Sequence, residues 1–166
     1  MTERLWAPWR MEYVTGGADA PGCIFCQKPA AGDDDANLIV RRGERAYVLL
    51  NLYPYANGHL MVAPYRHVAA PGDLDADERA EVWELFDQAL AVLAEVMAPH
   101  GFNAGINLGR VAGAGIEDHV HLHVVPRWNG DTNYMPVLAD VKVMPEHLTR
   151  TAAQLRAAWD RAPTRG

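Results

Sequence analysis

Only two cysteines, Cys23 and Cys26, occur in the 166 residues, so no disulfide framework can stand in for a hydrophobic core. No apolar run reaches the roughly 18 residues of a membrane span, and the opening Met1-Thr-Glu-Arg-Leu-Trp6 lacks the charged-then-apolar plan of a secretory leader. A cytoplasmic protein without a membrane partner is expected. Positive charge is scarce too: 15 Lys and Arg against 21 Asp and Glu give a formal charge of −6. That balance argues against broad nucleic-acid binding, which rests on phosphate neutralisation by basic side chains. A small anionic ligand is still compatible where the local field is positive. With 49% hydrophobic and 22% charged residues, the chain suits a single domain with one core. Within it we expect a tail and cysteine knuckle over 1–37, a core over 38–128 and an extension over 129–166. No internal repeat is present.

The cysteines form a Cys-x-x-Cys pair, for which a metal or redox role is expected. A thioredoxin-like role needs a preceding strand, and Pro21-Gly-Cys-Ile-Phe-Cys26 does not follow one. Zinc would need two more ligands. Upstream, residues 4–13 carry two of the five tryptophans and should be pinned against the core or a second subunit.

Leu38–Arg41 and Ala46–Leu50 are short β-rich runs around Arg42-Gly-Glu-Arg45, a hairpin by composition. Pro54 and the Asn57-Gly58 pair mark a turn before a strand over His59–Pro64. Asn51 and His59 then flank that turn. Asp75 with Glu78 three residues on resembles a capping box. It opens a helix whose apolar stripe runs from Val82 to Met97. Pro99-His-Gly101 should end that helix, with Gly101 as a left-handed cap and His100 without a chemical task. Phe102–Leu108 reads as a strand, Tyr134–Leu138 as an edge strand containing Pro136, and Pro145–Trp159 as a closing helix. His147 has no motif around it.

The most informative stretch is His119-Val-His-Leu-His-Val-Val125. On a strand, His119, His121 and His123 share one face while Val120, Leu122 and Val124 enter the core. Neighbouring imidazoles would sit roughly 7 Å apart and the outer two about 13 Å apart. A single zinc, with bonds of about 2 Å, cannot take all three. Distinct roles along an extended ligand suit the row better. Directly before it, Gly109–Gly115 is a Gly/Ala-rich loop in which backbone N–H groups at Gly113 and Gly115 could form an anion-binding nest. Asn107, at the far side of the loop, offers an amide donor for a phosphate oxygen. Arg127 could lend local positive charge, and Trp128 a flat surface for a base or a neighbouring subunit.

The row resembles the signature of the histidine triad nucleotide hydrolases and transferases, His-φ-His-φ-His-φ-φ with φ apolar, and every position fits. The segment Asn51–Pro64 is similar as well, with an Asn near one strand's end and Gly-His opening the next. Together with residues 4–13 and Phe102–Trp128 it looks most like bacterial members that split diadenosine tetraphosphate, some of them phosphorylases. The resemblance implies ribose contact for Asn51, active-site lining for His59 and nucleophilic attack by His121 through a covalent nucleotidyl-histidine. It implies charge stabilisation by His123, Asn107 and the loop N–H groups, with phosphate or water as acceptor and no cofactor for the chemistry. Relatives often carry Ser or Gln in the loop, where this chain has Gly115-Ile-Glu117.

Some triad-superfamily members, including galactose-1-phosphate uridylyltransferases and small bacterial triad proteins, hold zinc with a Cys-x-x-Cys pair, a downstream His and the first triad His. The matching positions are Cys23, Cys26, His67 and His119, a closed structural set without a water position. Triad proteins are commonly homodimers. The expected fold is α+β: an antiparallel sheet of about five strands, one long packed helix and a C-terminal helix. Transfer at a phosphate of dinucleoside polyphosphates is the expected function. Hydrolysis of adenosine phosphoramidates is the alternative enzyme, and a non-catalytic nucleotide-binding module the alternative from another class.

Overall fold

The computed structural model describes residues 22–131 and 147–161. The aromatic stretch at 4–13 and the edge strand expected at 134–138 lie outside the described residues. The architecture is α+β. Strands β1 (Ile39–Arg42), β2 (Ala46–Leu50), β3 (Leu60–Pro64), β4 (Gly101–Ile106) and β5 (Leu122–Arg127) form one antiparallel sheet in the order β1-β2-β3-β5-β4. Helix α1 spans Ile24–Ala30, α2 spans Ala76–Met97 and α3 spans Leu148–Arg161. As expected, the long helix and the C-terminal helix pack together on the sheet.

The predicted hairpin forms, and its tip is tied to α2. The Glu81 carboxylate accepts the backbone N–H groups of Glu44 and Arg45, both at 2.6 Å. Helix α2 opens on the capping box seen in the sequence: Asp75 accepts from the Glu78 N–H at 2.8 Å and Glu78 accepts from the Asp75 N–H at 3.0 Å. The far end differs from expectation. Ala98, not Gly101, takes the left-handed conformation, with φ 44°, and Gly101 is already the first residue of β4. Pro99 explains why the helix stops at this point, because the residue before a proline is driven out of the right-handed helical region.

The sheet separates two apolar layers. On one side Val48, Leu50, Leu60, Val62, Val120, Leu122 and Val124 meet the α2 and α3 stripes, including Leu85, Ala89, Leu93, Leu155 and Trp159. Phe25 of α1 packs on the other side with Ile39, Tyr47, Leu49, Met61 and Ala63. The period-two alternation of the histidine segment therefore holds, with its aliphatic members on the helix side and its histidines on the α1 side.

Candidate active site

Only His123 of the row lies within β5. His119 and His121 occupy the segment just before it, His119 at a bend, and both are buried. The spacing differs from that of a straight strand: the His121 and His123 rings are 4.8 Å apart between centroids, edge to face. His59, immediately before β3, completes the group. Pairing of Met61 with His123 across β3 and β5 brings it beside the row.

The hydrogen bonds assign the protons. A backbone carbonyl can only accept, so His121 carries its proton on Nδ1, which donates to the His119 carbonyl at 2.8 Å. Its Nε2 therefore keeps a lone pair. Burial pushes the His121 pKa down from the ordinary value, which favours the neutral, nucleophilic ring. On the neighbouring pair the assignment starts from the Tyr55 backbone N–H, which donates to His59 Nδ1 at 3.1 Å. His59 must then be protonated on Nε2, which donates to His123 Nδ1 at 2.9 Å. His123 in turn holds its proton on Nε2, the form able to donate to a phosphate oxygen.

Asn51 and His59 flank the turn as predicted. Asn51 Oδ1 accepts the Tyr53 N–H at 3.0 Å, and its Nδ2 lies 3.4 Å from His59 Nδ1. The amide thus braces the turn.

The first triad histidine faces away from this chemistry. His119 Nε2 donates to the Pro64 carbonyl at 2.8 Å, leaving Nδ1 as a lone pair 3.3 Å from Cys23 Sγ and 3.5 Å from Cys26 Sγ. His67 Nδ1 lies 3.5 Å from Cys26 Sγ. The four ligand atoms fall within 4.8 Å of one another. Tetrahedral zinc, with Zn–S near 2.3 Å and Zn–N near 2.0–2.1 Å, separates its ligand atoms by about 3.5 Å. Spacing, donor types and the His119 tautomer therefore all fit that ion. Burial also pushes the His119 pKa down, keeping the ring neutral for a metal.

A buried set of histidines of this kind, in this sheet, coincides with a known family. The profile described as HIT domain matches residues 33–130. The chain belongs to the HIT domain family. It is 41% identical to the AP-4-A phosphorylase of Mycobacterium tuberculosis, over 97% of this chain and 86% of the relative. It is 32% identical to the adenosine 5'-monophosphoramidase hnt1 of Schizosaccharomyces pombe, over 64% of this chain and 75% of the relative. Among solved structures, a zinc-bound histidine triad family protein from Mycobacterium smegmatis superposes with a TM-score of 0.67 at 25% identity, covering 84% of this chain and 94% of that one.

Other expectations for this HIT domain change on contact with the structure. In the glycine loop, Arg110–Ala112 form a short 3-10 turn between Gly109, φ 81°, and Gly113, φ 92°. The N–H groups of Ala112, Gly113 and Ala114 are consumed within it, by the carbonyls of Gly109 and Arg110. Gly113 therefore does not offer its N–H to an anion. Gly115 lies exposed beyond the turn, and Arg110 pairs with Glu117 at 2.6 Å to close the loop's base. Asn107 is half-buried just past β4. Arg127 supplies no free positive charge. It binds Asp131 at 2.5 Å and donates to Asn103 at 2.7 Å, four residues and about 13 Å along the strand from His123. Trp128 donates its ring N–H to the Met97 carbonyl at 3.3 Å, finishing α2. His100 accepts the Asn129 N–H at 2.9 Å, which is structural work.

Two aromatic residues at the site were not singled out from the sequence. Phe25, between the cysteines, stacks on His121 with centroids 4.5 Å apart and planes 28° from parallel. Tyr55 stacks on His59 at 4.7 Å. The only available signal was their place, inside the Cys-x-x-Cys and inside the turn opposite Asn51.

Proposed function

We propose that this HIT protein transfers a nucleotidyl group from a dinucleoside polyphosphate, with His121 as nucleophile. The observation that carries this reading is the 2.8 Å bond from His121 Nδ1 to the His119 carbonyl, which leaves Nε2 unprotonated. In the first step Nε2 attacks the α-phosphorus. The bond to the bridging oxygen breaks, and the departing nucleoside polyphosphate takes that electron pair. In the second step an acceptor oxygen, from phosphate or water, attacks the phosphorus, the P–N bond returns its pair to Nε2, and the acceptor's proton passes to solvent. His123 donates from Nε2 to a non-bridging oxygen, where such a donor supplies about two orders of magnitude in rate or more. Asn51 is assigned to the ribose, and Asn107 with the Gly115 backbone to the phosphate chain. The name of the 41% identical relative supports the substrate class.

Zinc held by Cys23, Cys26, His67 and His119 would act structurally, joining α1 to the segment before β5 with no site left for water. A homodimer is the assembly we assign: β4 ends the sheet among the described residues, so a second copy can extend it.

Incubation with diadenosine tetraphosphate, with and without inorganic phosphate, tests the reading. ADP plus ATP marks phosphorolysis and AMP plus ATP asymmetric hydrolysis. Absence of both products overturns it. An adenosine phosphoramidate, which would meet the same nucleophile and matches the name of the 32% identical relative, is the second substrate to run.

A further inference from the structure

Among the described residues, the His121 ring is held by one hydrogen bond and two rings, the His123 ring edge to face at 4.8 Å and the stacked face of Phe25. The bond to the His119 carbonyl fixes where Nδ1 points but leaves the imidazole free to rock about that axis. The face of Phe25, 4.5 Å away and 28° from parallel, blocks that motion. Phe25 is itself immobilised. Its side chain is 1% exposed, it also contacts the His119 ring at 5.3 Å, and its carbonyl accepts the Tyr47 hydroxyl at 2.8 Å. It further sits between Cys23 and Cys26, so the turn that presents the two thiols also presents this ring.

We propose that Phe25 is a positioning residue for His121, the backing plate that keeps Nε2 aimed at phosphorus and links the order of the Cys-x-x-Cys turn to the reacting group. The inference rests on the nucleophilic role assigned to His121. A near-attack geometry loses rate steeply with small misplacements, about 100-fold for 1 Å. An aliphatic residue of similar bulk fills the space but supplies no flat surface against which the imidazole can lie.

The test compares the wild-type holoprotein with Phe25→Leu, Phe25→Met and Phe25→Tyr. Four quantities are read: the single-turnover rate of nucleotidyl-enzyme formation from diadenosine tetraphosphate, the substrate Kd, the zinc content per chain, and the ¹⁵N resonances of the His121 ring without substrate at one fixed pH. For Leu and Met we expect a fall in the single-turnover rate of ~10-fold or more, with Kd within about twofold and zinc unchanged. The Tyr variant, which retains a ring face, recovers most of that loss. The His121 signals, a single Nδ1-protonated tautomer in the wild type, become averaged in the Leu and Met variants.

Several outcomes overturn the proposal. An unchanged rate with unchanged ring signals does so directly. A raised Kd at constant rate would put the ring on the nucleoside instead. Loss of zinc in step with rate would route the effect through the metal. If the Leu variant does not fold, the Met variant decides. If the wild type forms no nucleotidyl-His121, the functional reading fails, while the ring resonances still judge the positioning claim by themselves.

Discussion

Replacing His59 by Leu probes the chain of proton assignments that ends on His123. Its partners include the Tyr55 N–H, the Tyr55 ring, the Asn51 amide and His123, and the largest losses can be sized. The Tyr55 N–H would lose its acceptor at 3.1 Å; Tyr55 is exposed, so water can take the donor and the loss is that of one net hydrogen bond, about 0.5–1.5 kcal/mol. The Tyr55 ring would lose its stack on imidazole at 4.7 Å, worth about 0.5–1.5 kcal/mol. Together these put the stability loss near 1–3 kcal/mol, which for a chain of this size lowers Tm by roughly 2–12 °C. The catalytic part is separate. His123 would lose the donor that holds its Nδ1 as a lone pair, so its proton would no longer be confined to Nε2, the atom we propose meets substrate. One net hydrogen bond, about 1 kcal/mol, gives the lower bound of about fivefold. Complete loss of an oxyanion donor gives the upper bound of roughly 100- to 1000-fold. We therefore expect kcat to fall by about 10- to 100-fold, with KM changed little. His59→Gln, whose amide N–H can donate to His123, should recover to within about fivefold of the wild type. Steady-state kinetics on diadenosine tetraphosphate, with a thermal melt of each variant, reads both parts. A folded Leu variant with kcat within twofold of the wild type, or a Gln variant as slow as the Leu one, would refute the reasoning.

Further outcomes follow from the same geometry. His121→Asn should bind substrate with near-wild-type affinity, turn over none of it, and yield no mass increment of one nucleotidyl unit on a quenched peptide. Cys26→Ser, or treatment of the wild type with a strong chelator, should remove the zinc measured by elemental analysis and lower Tm; full metal content after Cys26→Ser would exclude that thiol as a ligand. Arg66, bidentate on Glu78 at 2.7 and 2.5 Å, holds that carboxyl down to about 2, against an ordinary value of 4.5. A carboxyl with a lowered pKa stabilises the fold above its ordinary value and ceases to as pH falls through the folded one. The advantage of wild type over Glu78→Gln should therefore be complete above pH 4.5 and fade toward pH 2. With Arg66 half in solvent, screening by water keeps that advantage small at neutral pH. Chemical denaturation across pH reads it, and a gap that widens on acidification would contradict the assignment.

Much of this was legible from residue spacing. Strict alternation from His119 to Val124 assigned the two faces correctly, because burying either face alone requires period two. Asp75 and Glu78 announced the start of α2 through local hydrogen bonding that needs no tertiary context. The four Cys and His residues were gathered by likeness to relatives, and the structure brings them together. What stayed hidden depended on orientation. Spacing says nothing about which way Phe25 turns, so its contact with His121 was invisible. Arg127 looked like free charge until Asp131, one helical turn away in sequence, proved to hold it. The glycine loop spends the N–H groups of Ala112, Gly113 and Ala114 on its own turn, a choice made by Gly109 and Gly113 adopting positive φ rather than by composition.

Strand β5 and the segment before it resemble a partition wall with different tenants on each side. Val120, Leu122 and Val124 press into the helices, where a swap of one aliphatic for another alters thermal robustness and little else. Behind the wall, Phe25 lies against His119 and His121 and packs with Tyr47 and Met61, so on the proposed reading the same exchange would disturb turnover too. Anyone seeking a hardier version of this protein should repack the helix side and leave the other alone.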